Sequence, residues 1–343
     1  MADLSHYAIP DPEFVNALAQ TPPPFASPSA DALQGDEEVK RRQKIVAEML
    51  RAAVAAFNPP QGVIVEEKRI PVTSPPGDIA VRVYTPEPRD TSETFAVYVD
   101  FHGSGYSVGT LDSDELDCRA LSVKNRIVVV NVDYRLAPQF PWPTGPNDAY
   151  DAVKWVARDS TELRVDLKKG FIIGGTSAGG NFTCTVAQRA REDPELQGKI
   201  TGQVLQSPET VTHSKEFPES LKDKLKSYEQ FKSDPILTRE NIALFMGAYK
   251  PGNQFDPLVS PILAKSLAGL PPAYVQIAGA DPLRDEGLLY AQMMQESGVQ
   301  TKVDVYPGVP HGFAAFYPKL AISAKWRTDL DTGVQWLLGF SKA

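Results

Sequence analysis

The stretch FIIGGTSAGG, Phe171 to Gly180, decides the reading of this chain. A β-branched apolar run enters Gly175-Thr176-Ser177-Ala178-Gly179, a G-x-S-x-G pattern, and an amphipathic helical stretch follows. A serine on a sharp strand-to-helix turn must take strained backbone angles, which neighbours without bulky side chains permit. The turn lifts the Ser177 hydroxyl out of the sheet, and the helix N-terminus beneath it favours developing negative charge. Ordinary glycine-rich turns carry the same pattern, so the reading needs partners elsewhere in the chain.

A serine nucleophile needs a base, and the chain has four histidines: His6, His102, His213 and His311. His6 lies in an N-terminal arm, and His213 opens a polar insertion. His102 ends a strand immediately before Gly103-Ser104-Gly105, where it reads as a structural residue of that loop. His311, in Pro310-His311-Gly312-Phe313, follows the last strand and is the expected base. The base needs an acid to fix its tautomer. Asp281 follows the apolar run AYVQIAGA directly; it could instead cap the next helix, with Pro282 at the first helical position. Asp285 is the competing carboxylate. Acyl transfer also needs N–H donors for an oxyanion, and the turn at Gly103 and Ser104, with Ala178 after the nucleophile, can supply them.

Around these residues, short β-rich runs alternate with helical patterns. Strands are expected at 64–72, 79–85, 95–101, 126–133, 170–174, 200–206, 273–278 and 302–306. Helices are expected near 112–124, 146–158, 178–192, 284–298 and 322–339. Runs such as IVVVNV are apolar on both faces, as in a parallel sheet covered by helices, while the first strands alternate and suit an antiparallel edge. Between Gln206 and Ala273 lies a connection of roughly 65 residues, far more than a βα-loop needs. Within it, Leu221, Leu225 and Tyr228 predict one amphipathic helix, and Ile242, Phe245, Met246 and Tyr249 another.

The N-terminal region begins with a proline-rich arm (Pro10, Pro12, Pro22, Pro23, Pro24, Pro28), expected to add little to the core. A helix after Asp36 follows, with an apolar stripe through Val39, Val46, Leu50 and Phe57, stopped by Pro59-Pro60. The expected division is therefore 1–60, arm and helix as part of a cap; 61–207, first part of the α/β core; 208–255, cap insertion; and 256–343, second part of the core.

Composition narrows the classes. The 343 residues include 42% hydrophobic ones, enough for a large α/β domain. A net charge of -8 without a basic block argues against nucleic-acid or anionic-membrane partners. No apolar stretch approaches the ~20 residues of a membrane span. With no basic n-region or apolar h-region at the N-terminus, a cytoplasmic protein is expected. Cys118 and Cys184 fit no metal or redox spacing and read as buried thiols. Asn181-Phe182-Thr183 matches a glycosylation pattern, but it falls in the helix behind Ser177 and reads as chance. No metal ligand set or cofactor motif is found, so no cofactor is expected.

The motifs together resemble the hormone-sensitive lipase-like carboxylesterases of the α/β-hydrolase superfamily. The likeness runs from about residue 79 to the C-terminus. It rests on His102-Gly103-Ser104-Gly105, Asp133-Tyr134-Arg135-Leu136-Ala137-Pro138, Gly175-Thr176-Ser177-Ala178-Gly179-Gly180, Asp281-Pro282-Leu283-Arg284-Asp285-Glu286 and His311-Gly312-Phe313. The resemblance implies an α/β-hydrolase fold, a mostly parallel eight-stranded sheet flanked by helices, with a helical cap. It implies Ser177 as nucleophile, Asp281 as acid and His311 as base, and an oxyanion hole of Gly103, Ser104 and Ala178. The turn usually written HGGG reads HGSG here, and the Ser104 side chain is expected to narrow the pocket. Thr176 stands where many members have Asp.

The expected activity is hydrolysis, through an acyl-enzyme, of small soluble esters with short to medium chains or of secondary-metabolite type. Tyr106 and Phe313 are candidate substrate contacts, and cap residues Tyr228, Phe231 and Phe245 could join them. The alternatives are a non-catalytic small-molecule receptor on this scaffold, or an acyltransferase or lactonase using the same triad. The expected assembly is a monomer or a homodimer.

Overall fold

The computed structural model describes residues 4–23, 35–57, 59–212 and 219–341. Pro24, Pro28 and His213 lie outside the described residues. The elements run α1 (Pro12–Gln20), α2 (Gly35–Ala55), β1 (Val63–Thr73), β2 (Pro76–Pro86), β3 (Ala96–Phe101), α3 (Glu115–Asn125), β4 (Ile127–Asp133), α4 (Thr144–Arg158), β5 (Phe171–Thr176), α5 (Ala178–Glu192) and β6 (Gly202–Gln206). Then follow α6 (Glu219–Lys222), α7 (Ser227–Gln230), α8 (Arg239–Tyr249), β7 (Ala273–Ala278), α9 (Arg284–Glu296), β8 (Thr301–Tyr306), α10 (Phe313–Phe316) and α11 (Ala321–Phe340).

The eight strands form one sheet in the order β1-β2-β4-β3-β5-β6-β7-β8. The pairs β1–β2 and β2–β4 are antiparallel, and the remaining neighbours are parallel. This is an α/β-hydrolase fold, an eight-stranded, mostly parallel sheet flanked by helices. Strands β3, β6 and β7 are buried along their whole length, because helices cover both faces. Val97, Val99, Val130 and Ile173 face α4, α5 and α9, whereas Tyr98, Val129, Ile172 and Val204 face α3 and α11. β1 lies at an edge and is largely exposed, which explains its alternating sequence.

Two expectations change. The arm is not peripheral. Asp11 caps α1 by accepting the Phe14 N–H at 2.8 Å, and Phe14 is buried beside Val309, Phe313 and Trp326. Tyr7 and Asp11 bond both backbone groups of Gly308, so the arm grips the loop that leads to His311. Second, Leu221 and Tyr228 do not share a helix. The segment breaks into α6 and α7 because the Ser227 N–H is taken by Asp285 at 2.8 Å and its hydroxyl by the Pro282 carbonyl at 2.8 Å. Along the apolar stripe of α2, Val39 is buried, Val46 and Leu50 face a cavity, and Phe57 is exposed.

Candidate active site

Each predicted site residue sits just beyond the C-terminal end of a strand, where ligands of open α/β sheets bind. Ser177 joins β5 to α5 at φ +57° and ψ −116°, a strained conformation costing about 1–3 kcal/mol. Its N–H donates to the Gln206 carbonyl at 2.9 Å, and its carbonyl accepts from Asn181 and Glu209. The surrounding glycines are steric necessities. A Cβ on Gly179 would lie 1.8 Å from the Phe101 carbonyl oxygen, and one on Gly175 would lie 2.5 Å from it.

His311 follows β8 and is buried, with Nδ1 2.8 Å from Asp281 Oδ2. The other Asp281 oxygen accepts the Leu283 N–H at 2.7 Å, which fixes the carboxylate. Burial pulls the imidazole pKa down, but the charge and hydrogen bond of Asp281 outweigh it. With Asp234 adding to them, the net shift is above the ordinary 6.5. Such an imidazole has Nδ1 committed to a carboxylate, which leaves Nε2 for a proton exchanged with a hydroxyl. Asp285 turns away. It bonds the Ser227 N–H and Arg284 Nε, both at 2.8 Å, and ties α7 to α9.

The loop after β3 brings Gly103 and Ser104 to the cavity. Among the described residues neither of their N–H groups has a hydrogen-bond acceptor, and Ala178, first in α5, has none within its helix. The expected narrowing by Ser104 takes a different form: its Oγ accepts from the Tyr106 N–H at 2.8 Å and from Tyr134 Oη at 2.7 Å, which holds the turn in place. His102 is stacked on Tyr134, with ring centroids 4.4 Å apart, and burial pushes its pKa down to about 4. It is a neutral structural histidine of this loop.

Ser177 and His311 line one cavity of about 270 Å³. Its roof is built by Arg42, Val46 and Leu50 of α2 with Ile242, Phe245 and Met246 of α8. Arg42 Nη1 bonds Asn241 Oδ1 at 2.7 Å and so clips the two helices together. The cavity runs past Phe313 to a floor at Tyr98, Asp100, Cys118, Leu121 and Leu330. There, burial first and then Asp114 push the Asp100 carboxyl far above the ordinary carboxylate range. Tyr106 does not line the cavity; it is buried in a stack on Tyr249, with centroids 3.9 Å apart. Tyr228 and Phe231 are likewise outside it, lying under Arg239 and Arg284. Among the described residues no three His, Cys, Asp or Glu side chains gather as metal ligands, and no helix is long and apolar enough to cross a membrane. Cys118 and Cys184 are free and buried, and Asn181 is buried, its Nδ2 bonded to the carbonyls of Glu209 and Val259.

Two residues escape the sequence reading. Asp234, in the insertion, accepts the His311 N–H at 3.2 Å through Oδ2 and the Ile236 and Leu237 N–H groups at 2.7 Å through Oδ1. Burial and then the nearby Asp281 raise its pKa to about 6. No local pattern announces it, because its partner lies on a distant loop. Glu209 lines the cavity three residues after β6, and its place just past a strand end was the available signal.

The comparisons with known proteins agree with this architecture. Residues 98–315 match a family model described as the α/β hydrolase fold. A versiconal hemiacetal acetate esterase of Dothistroma septosporum is 36% identical over 243 residues, 70% of this chain and 73% of that protein. A carboxylesterase of Mycobacterium tuberculosis, NlhH, is 35% identical over 245 residues, 70% of this chain and 72% of its own. A solved vibralactone cyclase superposes with a TM-score of 0.89 at 32% identity, covering 98% of this chain and 97% of that one. The chain belongs to the α/β-hydrolase fold family, among its hormone-sensitive lipase-like carboxylic-ester hydrolases.

Proposed function

We propose that the hydrolysis runs through an acyl-enzyme on Ser177. The observation that carries this reading is the buried His311–Asp281 pair, 2.8 Å apart, in the wall of the cavity that Ser177 also lines. His311 Nε2 takes the Ser177 proton as Oγ attacks the ester carbonyl, and Asp281 stabilises the imidazolium. The N–H groups of Gly103, Ser104 and Ala178 receive the developing oxyanion. His311 then returns the proton to the departing alkoxide. Water, deprotonated by the same imidazole, attacks the acyl-enzyme and releases the acid.

The helical roof and the arm act as the cap, made from residues 1–60 and 208–255, over a core of residues 61–207 and 256–343. A cavity of about 270 Å³ with Phe245, Met246 and Phe313 in its wall favours small esters of short to medium chain. A fluorophosphonate probe tests the nucleophile: labelling maps to Ser177, and Ser177→Ala lowers kcat for a p-nitrophenyl ester by on the order of 10⁴ or more. Labelling of a different serine would overturn the assignment.

The likeness to a protein described as a cyclase favours a second use of the same acyl-enzyme. A hydroxyl of the acyl group itself, in place of water, would close a lactone. Mass spectrometry of products from hydroxyacyl esters decides between free acid and lactone.

A further inference from the structure

Glu209 is a buried acid in the active cavity that the hydrolytic steps leave unused. Its backbone is fixed on both sides: its N–H donates to the Ser177 carbonyl at 3.2 Å, and its carbonyl accepts from Asn181 Nδ2 at 3.0 Å. A Cβ on Gly180 would lie 2.9 Å from Pro208, so the turn before Glu209 packs directly on the nucleophile helix. The residue is 6% exposed and lines the same cavity as Ser177 and His311. Its Oε1 has no hydrogen-bond partner among the described residues. A polar atom buried without a partner is costly, and such an atom in a reactive cavity is conspicuous.

The surroundings determine what this group can do. Glu286, on α9, accepts the Thr210 and Val211 N–H groups and stands close enough to oppose a charge on Glu209. Tyr106, Tyr249, Tyr228 and His311 all lie within electrostatic reach of it. Arg42, the cation of the roof, is held by Glu38 and Asn241. Burial first and Glu286 second raise the Glu209 pKa to about 8. At neutral pH the group is therefore a carboxylic acid, able to donate a hydrogen bond as well as accept one.

We propose that Glu209 is a substrate-binding residue that donates a hydrogen bond to a second oxygen function of the ester, a hydroxyl or carbonyl beyond the scissile group. It selects oxygenated esters over plain alkyl esters. Oε1 is already buried and unpaired among the described residues, so an oxygenated ester that reaches the carboxyl group can satisfy it, whereas a plain alkyl ester leaves it as it is. An anionic substituent is disfavoured by Glu286.

The inference rests on the nucleophile reading above, and one set of assays separates the two. Hydrolysis of ethyl butyrate by wild type, lost in Ser177→Ala, reports on the nucleophile alone. Specificity is read as the ratio of kcat/KM for ethyl 3-hydroxybutyrate, ethyl acetoacetate or 2-hydroxyethyl butyrate to that for ethyl butyrate. At pH 7 the wild-type ratio for at least one of these exceeds about 10, the factor that ~1.4 kcal/mol represents. Glu209→Ala brings that ratio to within about twofold of unity. Glu209→Gln keeps a donor of the same shape, retains the ratio and folds without a titrating group. In wild type the ratio falls as pH rises through about 8, because the donor proton is lost; in Glu209→Gln it stays flat. Titration of His311 cancels between the two esters. A wild-type ratio near unity for every oxygenated ester, or one that survives Glu209→Ala, overturns the proposal.

Discussion

Replacing Asp281 or Asp285 by asparagine separates catalysis from cap anchoring, although the two carboxylates are only four residues apart. In Asp281→Asn the amide cannot hold the His311 imidazole in the required tautomer or stabilise its cation. The expected loss in kcat is about 10⁴-fold, or ~5.5 kcal/mol of transition-state stabilisation. The pH profile moves as well. His311 sits above 6.5 because Asp281 outweighs burial; without Asp281, burial dominates, and the acid limb of kcat/KM shifts to lower pH. In Asp285→Asn the His311 pair is untouched. What is lost is the counter-charge of Arg284, whose side chain, like that of Asp285, is almost wholly buried. Removing one partner of such a pair costs about 3–5 kcal/mol of stability. The segment carrying Ser227, Gln230 and Phe231 loosens with it, since Asp285 and Arg284 are its anchors. The assays are steady-state kinetics from pH 5 to 9 and thermal denaturation, run side by side at a temperature where both variants are folded. Asp281→Asn should be slow and stable, and Asp285→Asn unstable but within about tenfold of wild type in kcat. A larger kcat loss in Asp285→Asn, or an unmoved acid limb in Asp281→Asn, would refute the reasoning.

Three further outcomes follow from contacts in the structure. Asp234→Ala strands the N–H groups of His311, Ile236 and Leu237, each costing about 1–3 kcal/mol if left unpaired; KM should rise more than kcat falls, because Ile236 and Leu237 line the cavity. Phe14→Ala should lower stability by about 3–5 kcal/mol, read by thermal denaturation, because the arm is part of the packed cluster under the His311 loop. Leu330→Phe intrudes on the cavity floor and should lower kcat/KM for an octanoyl p-nitrophenyl ester by about tenfold relative to the acetyl ester, since pocket contacts of one or two methylenes are worth 10–200-fold.

Much of this molecule is legible in its sequence. Strands announce themselves by apolar runs such as Ile127–Val132, whose residues are buried on both faces, and the eight runs named from the sequence are the eight strands of the sheet. Ser177, Asp281 and His311 could be named because each follows its own strand, and parallel strands bring their C-terminal ends to one rim. Asp281 and His311, thirty positions apart, close into a 2.8 Å contact for that reason.

What required the tertiary structure depends on contacts between segments far apart in sequence. Asp234 meets His311 across 77 positions, and Arg42 meets Asn241 across 199. Tyr106 and Phe313 look alike as aromatic neighbours of a loop; only packing turns the first into a stack on Tyr249 and the second toward the cavity. The arm reads as a proline-rich tail because prolines hide the single apolar face of α1, whose Phe14 becomes core only when Val309 and Trp326 arrive to cover it. Periodicity and strand order, which are local properties, thus decided the scaffold and its rim. The cap, the pocket wall and the protonation of Glu209 are set by burial among residues that only folding brings together.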